Sequence, residues 1–422
     1  MPDVNPRPPN VALVPAALTL DHEGNLRAAG LAPPLAAAGT TRTLLSTRWV
    51  WITLLVWATI WAVVMNRHGG LSWHYFDQGG LALVDLDNPA GSLHVYASHP
   101  ELQFGPVSMV AAAALSLLGV HSGLVAAQVL GAVAGLLVLL LVSGIATQER
   151  QLGTGRQRLI TLLLSGLAFL PVWMNLAVRF VHIDDVLALT FVVAAVWAAV
   201  HRYPMAAAVL LGMSAAAKPW ALPFLALVLV LRPPVRGRAA LVACGTVALA
   251  WLPFLIADPR SLLAARFAIP ATAASSLRTL GISDAVTPSW DRPAQMLLGL
   301  AVAAIAIRRG RWQAVVLVVV AVRIVLDPGS YSYYTSGILV GALLWDLVGT
   351  SRTFPVWSWT AALSLFAARW LPITPGAIGW VRTLFVATCV LVLVLPRAAH
   401  RRPHERLIGR TAQPPGRVAV DA

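Results

Sequence analysis

The chain alternates between long apolar runs and short polar connections that carry most of its arginines. Runs such as 124–146 and 239–257 are continuously apolar, whereas a barrel strand would alternate apolar and polar residues. Because a backbone in lipid must satisfy its own hydrogen bonds, such runs predict helices. The pattern therefore predicts an all-α polytopic membrane protein with about twelve transmembrane helices.

The predicted spans differ in length, and several are shorter than the ~20 residues that a straight crossing needs. Lys218 and Pro219 separate two short spans, which we interpret as two helices joined by a tight turn; one long kinked helix is the alternative. The predicted spans are 49–65, 124–146, 159–177, 184–200, 205–217, 219–231, 239–257, 294–307, 313–326, 336–349, 356–371 and 379–396.

The composition supports a membrane protein and argues against a large soluble domain. Hydrophobic residues make up 58% of the chain and charged residues 11%, whereas a soluble domain carries roughly 25% charge. The formal net charge of +14 is compatible with nucleic-acid binding. However, the arginines form short clusters between apolar runs, where they orient a protein in a membrane. We therefore expect a lipid bilayer and no nucleic acid as a partner.

The arginine clusters fall on every second connection when the N-terminus is placed in the cytoplasm. This orientation predicts a disordered cytoplasmic tail over 1–45, a membrane domain over 46–398 and a basic cytoplasmic tail over 399–422. The segments 66–105 and 258–293 become long external loops, and 178–183 and 327–335 become shorter ones. We expect the protein in the cytoplasmic membrane, with its chemistry facing outside.

The segment 106–119 is apolar but disturbs this alternation. If it crossed the membrane, every later arginine cluster would lie outside, against the distribution that membrane proteins favour. We therefore predict that the segment is re-entrant or interfacial; a full crossing that violates the charge rule is the alternative.

The first external loop carries a concentration of polar and aromatic residues that a simple connection does not need. We expect it to fold into a structured cap on the membrane surface. Asp85 and Asp87 imitate the pair of carboxylates that holds a metal and a sugar nucleotide in soluble glycosyltransferases, although the sequence 87–91 is also typical of a turn. The candidate site residues of this loop are Asp77, His94, Tyr96, His99 and Gln103.

Several features between residues 49 and 235 resemble a known family in their order. An Asp (Asp77) follows the first span, Tyr96 comes about twenty residues later, and Gln103-Phe104-Gly105-Pro106 opens an apolar segment. A small-residue helix then ends at Lys218-Pro219. This order resembles the GT-C glycosyltransferases, especially the polyprenol-phosphate-mannose-dependent mannosyltransferases of actinobacteria (glycosyltransferase family 87). The chain departs from the family at Phe-Gly-Pro, where those proteins usually have Tyr-Pro-Pro.

The resemblance implies a GT-C-like bundle and a glycosyl transfer. Asp77 would be the general base that takes the proton of an acceptor hydroxyl during attack on the anomeric carbon. The donor would be a polyprenyl-phosphate sugar, most simply mannose, and the acceptor a cell-envelope glycolipid or polysaccharide. We expect no cofactor and no bound metal.

Further candidates lie near the predicted outer ends of the spans. Asp184 and Asp185 begin the span 184–200, where carboxylates interact favourably with the helix dipole. The alternative is that the two carboxylates face the same cavity as Asp77. Lys218 is the single lysine and is a candidate ligand of the donor phosphate or an interfacial residue. Arg323 lies four residues before Asp327, a spacing that predicts an ion pair.

The remaining candidates would bind the donor or stack on its sugar. Tyr333 and Tyr334 have the composition of a sugar platform or of an interfacial aromatic belt. Arg179, Arg369 and Arg382 could form, with Lys218 and Arg323, a cationic rim for a lipid phosphate. Two other function classes remain open: a transporter or flippase of an anionic lipid-linked substrate, and a non-catalytic membrane subunit.

Overall fold

A computed structural model of the chain describes residues 46–149, 154–261, 269–282 and 286–394, and two short strands before them. The strands Thr19–Leu20 (β1) and Leu26–Arg27 (β2) pair antiparallel. They belong to a separate unit, 1–46, and all other described elements belong to the unit that begins at Thr47. Apart from those four residues, the predicted tail 1–45 lies outside the described residues, as does the predicted tail 399–422.

The described part of the second unit is helical, which confirms the predicted all-helical class. Its α-helices are α1 Thr47–Asn66, α2 Trp73–Val84, α3 Val95–Ser98, α4 Pro106–Ser116, α5 Val120–Glu149, α6 Gly155–Met174, α7 Ile183–Val200, α8 Pro204–Ala217, α9 Pro233–Ala257, α10 Ser276–Thr279, α11 Asp291–Arg308, α12 Val315–Leu326, α13 Thr335–Leu344, α14 Val356–Ala361 and α15 Pro375–Val394.

Tighter and wider helical turns connect or extend several of these helices. The 3₁₀ segments are Ser92–His94, Pro219–Val230, Trp312–Ala314, Ser332–Tyr334 and Ala367–Trp370. The π-helical segments are Asn175–Phe180, Trp345–Gly349 and Ala362–Phe366. π-Helical turns are rare in proteins, and those that occur are often located at functional sites.

Each predicted span overlaps a helix, but fewer helices have the length and composition to cross a bilayer. Five described helices meet both conditions: Thr47–Asn66, Val120–Glu149, Gly155–Phe180, Ile183–Val200 and Pro233–Ala257. The remaining predicted spans fall on helices that do not meet both conditions, and most of these are shorter or interrupted. The five helices of sufficient length and apolar composition support a membrane protein. The total of about twelve crossings stays a prediction.

The helices differ in how deeply they are packed. In the most apolar 18-residue stretch of each helix, 72% of the residues are buried in Gly155–Phe180 and 17% are buried in α9. The outer face of α9 exposes Leu241, Leu249 and Ile256, each at least 74% accessible. Large exposed apolar side chains along a helix are unfavourable in water and suit contact with lipid tails. The packing therefore agrees with α9 at the periphery and α6 and α7 at the centre.

The segments that the charge pattern assigns to the outside contact one another. Ser72 of the first loop is hydrogen-bonded to His182, Tyr333 stacks on the same imidazole, and Thr272 donates its amide to the carbonyl of Pro328. The opposite ends of the helices surround a cavity of about 290 Å³, whose lining includes Thr47, Ser143, Thr147, Gly155, Arg158 and Leu347. The connections predicted to be external thus lie at one end of the bundle, and residues next to connections predicted to be cytoplasmic lie at the other. The side of the membrane that each end faces stays a prediction.

The first loop is folded, as expected for a cap, and α4 supports it. With 11 residues, α4 extends about 16 Å at 1.5 Å per residue, well short of a ~30 Å hydrocarbon core. Helix α2 packs on α4 through Gly80, where a Cβ atom would lie 2.7 Å from backbone atoms of Ala112 and Ala113. The short helix is compatible with the predicted segment that does not cross.

The chain breaks between α8 and the following 3₁₀ helix, as predicted at Lys218-Pro219. Lys218 is extended (φ −143°, ψ 115°), so the two helices are separate and pack side by side. Pro219 begins the second helix, where its missing amide proton costs no helical hydrogen bond. The alternative of one long kinked helix is therefore wrong.

Candidate functional site

A strained turn between α6 and α7 presents three polar residues. The chain leaves α6 through the π-helical segment Asn175–Phe180, and Val181 then adopts a left-handed conformation (φ 57°, ψ 48°). A β-branched residue rarely occupies this region, and such strain concentrates at functional sites. His182 follows, and the first turn of α7 contributes Asp184 and Asp185.

The start of α2 is fixed against this turn by backbone hydrogen bonds. Three consecutive amides of the first loop donate to three consecutive carbonyls of the π-helical segment, which would otherwise lack partners at its end. The pairs are Gly70 to Val178, Leu71 to Arg179 and Ser72 to Phe180, at 3.3, 3.0 and 2.9 Å. The ladder holds the helix that carries Asp77 directly over the turn.

Buried ionisable residues from α7, α8, α12 and their ends meet below this point. We call this group the charge cluster: His182, Asp184, Asp185, Lys218, Arg323 and Asp327. Asp184 and Asp185 are 1% and 3% exposed, so their charges require close partners. Asp184 forms an ion pair with the Lys218 ammonium through Oδ2 and lies 3.3 Å from His182 Nδ1 through Oδ1. Lys218 is therefore paired within the cluster.

Asp185 and Arg323 form the other half of the charge cluster. Asp185 Oδ1 accepts hydrogen bonds from Trp220 Nε1 at 2.7 Å and from Arg323 Nη1 at 3.4 Å. Arg323 Nε lies 3.6 Å from Asp327 Oδ2, which confirms the ion pair predicted from their spacing. The guanidinium also lies between the rings of Trp220 and Tyr334, 4.1 and 4.3 Å from their centroids. These contacts fix its plane.

The tyrosines of the segment 331–334 cover the charge cluster. The ring of Tyr333 stacks on His182 at 3.8 Å and lies 4.9 Å from Phe180. Tyr333 and Tyr334 are each 8% exposed, whereas Tyr331 is 41% exposed. Two of the three rings therefore pack inside the site, and Tyr331 is the ring with surface left for another molecule.

Arginine side chains bind the segment 327–335, which contains a single carboxylate, Asp327. Arg369 donates to the carbonyl of Ser330 at 2.6 Å, and Arg382 donates to that of Gly329 at 3.4 Å. Arg179 lies in the π-helical segment, with its guanidinium 5.9 Å from the ring of Phe180, which contacts Tyr333. In each of the three arginines Nε is buried and has no hydrogen-bond partner among the described residues. Buried donors without acceptors are costly, so this region is suited to an anion.

Asp77, the predicted base, lies on α2 next to this site. Its Oδ1 atom is buried and has no hydrogen-bond partner among the described residues. The neighbouring Phe76 ring lies 5.9 Å from the ring of His182 and 4.6 Å from that of Phe104. A carboxylate oxygen with an unused acceptor is available for an incoming hydroxyl.

Tyr96, a predicted binding residue, serves the packing of the first loop. Its side chain is fully buried, its hydroxyl donates to the carbonyl of Phe104 at 3.0 Å, and its ring lies 5.0 Å from those of Trp251 and Phe254. Burial raises the pKa of the phenol well above its usual value. These contacts leave no surface for a substrate and tie the first loop to α9.

The other predicted residues of the first loop have partners outside the charge cluster. His94 Nδ1 lies 3.9 Å from Asp258, and His99 Nδ1 lies 3.2 Å from Glu101. Gln103 is half-buried, and its backbone amide donates to the carbonyl of Glu101. None of these contacts joins the histidines or Gln103 to Asp184, Asp185 or Lys218.

The carboxylate pair Asp85 and Asp87 lies in a turn. Both residues are exposed, directly after the end of α2, and the amide of Ala90 donates to Asn88 Oδ1 at 2.9 Å. A side-chain turn of this kind is what the sequence 87–91 favours. The structure thus agrees with the turn interpretation.

The sequence-based prediction omitted several members of the site. His182 contacts both buried carboxylates, Ser72 contacts His182, and Trp220 binds Asp185. A signal was present for His182, because it shares a short polar segment with Asp184 between two apolar runs. Ser72 and Trp220 carry no such signal, since their roles depend on contacts across the fold.

Comparisons with known proteins add no family to this description. No protein-family model, no curated protein and no solved structure matches the chain. The site must therefore be interpreted from its own chemistry.

Proposed function

We propose that the chain is a membrane glycosyltransferase of the GT-C type. It transfers a sugar, mannose by resemblance, from a polyprenyl phosphate to a cell-envelope glycolipid or polysaccharide on the outer face of the membrane. The five apolar helices of membrane length support a lipid-linked substrate. The sugar and the polyprenyl carrier derive from the resemblance over residues 49–235 alone.

One observation carries this proposal. A carboxylate oxygen of Asp77 lacks a partner, and the helix that bears it is bonded to a turn beside three arginines whose Nε donors also lack partners. Ser72 Oγ lies 3.1 Å from His182, and Asp77 follows Ser72 by five residues, about 7.5 Å along a helix. A carboxylate oxygen without a partner suits an acceptor hydroxyl, and guanidinium donors without acceptors suit a leaving phosphate.

The reaction would proceed by a single displacement. The acceptor oxygen attacks the anomeric carbon, and Asp77 takes its proton as the new bond forms. The bond between the anomeric carbon and the phosphate oxygen breaks, and the polyprenyl phosphate leaves with the electron pair. Arg179, Arg369 and Arg382 stabilise the negative charge of the phosphate. The carboxylate also favours the positive charge that develops on the sugar ring.

The structure changes the role that we assign to two predicted phosphate ligands. Lys218 is bound to Asp184, and Arg323 is bound to Asp185 and Asp327. Neither is a free cation. In the proposal these residues stabilise the floor of the site, and the three arginines of the rim bind the phosphate.

The proposal is tested by cellular lipids and by the purified protein. Cells that lack the protein are complemented with the wild type, Asp77→Asn or Asp87→Asn, and their glycolipids are compared by mass. We expect Asp77→Asn to lose one discrete product, because a general base contributes roughly 10²–10⁴-fold to a rate. Asp87, an exposed carboxylate of the same loop, is the matched control.

The purified chain is then given a synthetic polyprenyl-phosphate mannose and an extract of the accumulated acceptor lipids. Release of polyprenyl phosphate with formation of the missing product supports the proposal. An unchanged lipid profile in Asp77→Asn, at wild-type protein levels, would overturn it. Movement of the intact donor across vesicles that contain the protein, without release of phosphate, would show a flippase instead.

A further inference from the structure

We propose that His182, Asp184 and Asp185 bind a divalent cation. Each residue offers one ligand atom, and the three atoms lie within 4.8 Å of one another. We assign Nδ1 of His182, Oδ1 of Asp184 and Oδ2 of Asp185 as the binding atoms. This inference departs from the expectation of a metal-free protein and does not depend on the proposed function.

The separations of the three atoms are close to those of metal ligands. Nδ1 lies 3.3 Å from Oδ1 of Asp184 and 3.7 Å from Oδ2 of Asp185. Ligand bonds of about 2.1 Å place neighbouring ligand atoms about 3.0–3.4 Å apart in octahedral or tetrahedral geometry. The first separation lies in that range, and the second reaches it with a shift of a few tenths of an ångström.

Each of the three side chains is held by its other polar atom. Nε2 of His182 lies 3.1 Å from Ser72 Oγ, and Oδ2 of Asp184 binds the Lys218 ammonium. Oδ1 of Asp185 accepts the hydrogen bond from Trp220. Partners of this kind orient the ligands of protein metal sites. Oδ1 of Asp184 also accepts the backbone amide of Asp185 at 2.8 Å, which leaves its second lone pair for the ion. The strained turn at 181 adds to this orientation.

The atom Oδ2 of Asp185 supplies an independent reason. The side chain is 4% exposed, and this oxygen is buried without any hydrogen-bond partner among the described residues. A buried charged acceptor without a partner destabilises the folded protein. A cation bound to His182 and Asp184 would contact this oxygen and remove this destabilisation.

The charges of the cluster permit a divalent ion. Three carboxylates, Asp184, Asp185 and Asp327, face two cations, Lys218 and Arg323. With a neutral imidazole the formal charge of the cluster is −1, and Arg382, which is buried near Asp327, brings the total to 0. A divalent ion changes this total to +2, which nearby anions can offset. Two carboxylates and one imidazole suit Mn²⁺, Mg²⁺ or Zn²⁺. Lys218 and Arg323 bind the oxygens that face away from the proposed ion.

The test is binding of Mn²⁺ to the full chain, purified without a histidine tag and stripped with a chelator. Loss of the free Mn²⁺ signal in electron paramagnetic resonance measures the bound ion. We expect one Mn²⁺ per chain, at least tenfold weaker binding in Asp185→Asn and in His182→Gln, and weakening of about tenfold in Ser72→Ala. Asp346→Asn, which alters a buried carboxylate outside the cluster, is expected to bind as the wild type does.

Size-exclusion profiles identify any variant that fails to fold, and Ser72→Ala, the mildest change, keeps the test informative in that case. Binding below one ion per chain would overturn the proposal, as would equal affinity in the wild type, Ser72→Ala and every other folded variant. Equal affinity would identify an adventitious ion only. Because no sugar is transferred in this experiment, its failure leaves the proposed function untouched.

Discussion

Arg323 shows how a single buried charge holds the site together. Its guanidinium contacts Asp185 and Asp327 and lies between the rings of Trp220 and Tyr334, with 7% of the residue exposed. Removing one member of a buried ion pair leaves the other charge without compensation. The position therefore requires both the charge and the planar shape of arginine.

We predict that Arg323→Met lowers the free energy of unfolding by about 3–5 kcal/mol, because Asp185 and Asp327 lose their shared cation. Arg323→Lys keeps the charge but loses the flat stacking surface, so we expect an intermediate loss. Denaturation in mixed micelles measures both, with Arg156→Met, at an exposed position, as the control. Stability of Arg323→Met equal to the control would contradict the described ion pairs.

At the scale of elements, the approach of α4 to the end of α8 determines where Lys218 lies. The amide of Gly105 and the hydroxyl of Ser108 both donate to the carbonyl of Ala217, at 2.8 and 2.9 Å. A Cβ atom at Gly105 would overlap the carbonyl of Ala216. The glycine thus allows the start of α4 to satisfy a carbonyl that the extended Lys218 leaves open.

We predict that Gly105→Ala destabilises the protein by about 1–3 kcal/mol, because two backbones must separate. The matched control is Gly245→Ala on the peripheral α9, where a Cβ atom meets nothing within 4 Å. There alanine improves helix propensity, and we expect a gain of up to about 1 kcal/mol. Thermal unfolding in detergent compares the two variants. The same loss in both, or none at Gly105, would show that the close contact is not formed.

For the whole molecule, the continuous apolar runs predicted the helices, because a backbone in lipid must satisfy its own hydrogen bonds. The spacing of Arg323 and Asp327 also predicted their ion pair, which is a local contact. The charge cluster was beyond such arguments, since His182, Lys218 and Arg323 come from distant segments. The left-handed Val181 has no sequence signature, because β-branched residues avoid that conformation. The prediction that Tyr96 binds substrate failed for a related reason. A polar aromatic residue in a loop can pack as tightly as a core residue, and the sequence alone does not distinguish the two roles.

The orientation of the membrane unit leads to the final prediction. Arginines concentrate at the end of the helices opposite the charge cluster, a distribution that predicts a cytoplasmic position for that end and an external position for the cluster. In a variant without Cys244 and Cys389, we expect Leu86→Cys to react with an impermeant maleimide in intact cells, since Leu86 is 79% exposed. Arg156→Cys should react only after permeabilisation. The reverse pattern would place the site in the cytosol, where nucleotide sugars are available and a lipid-linked donor has no advantage.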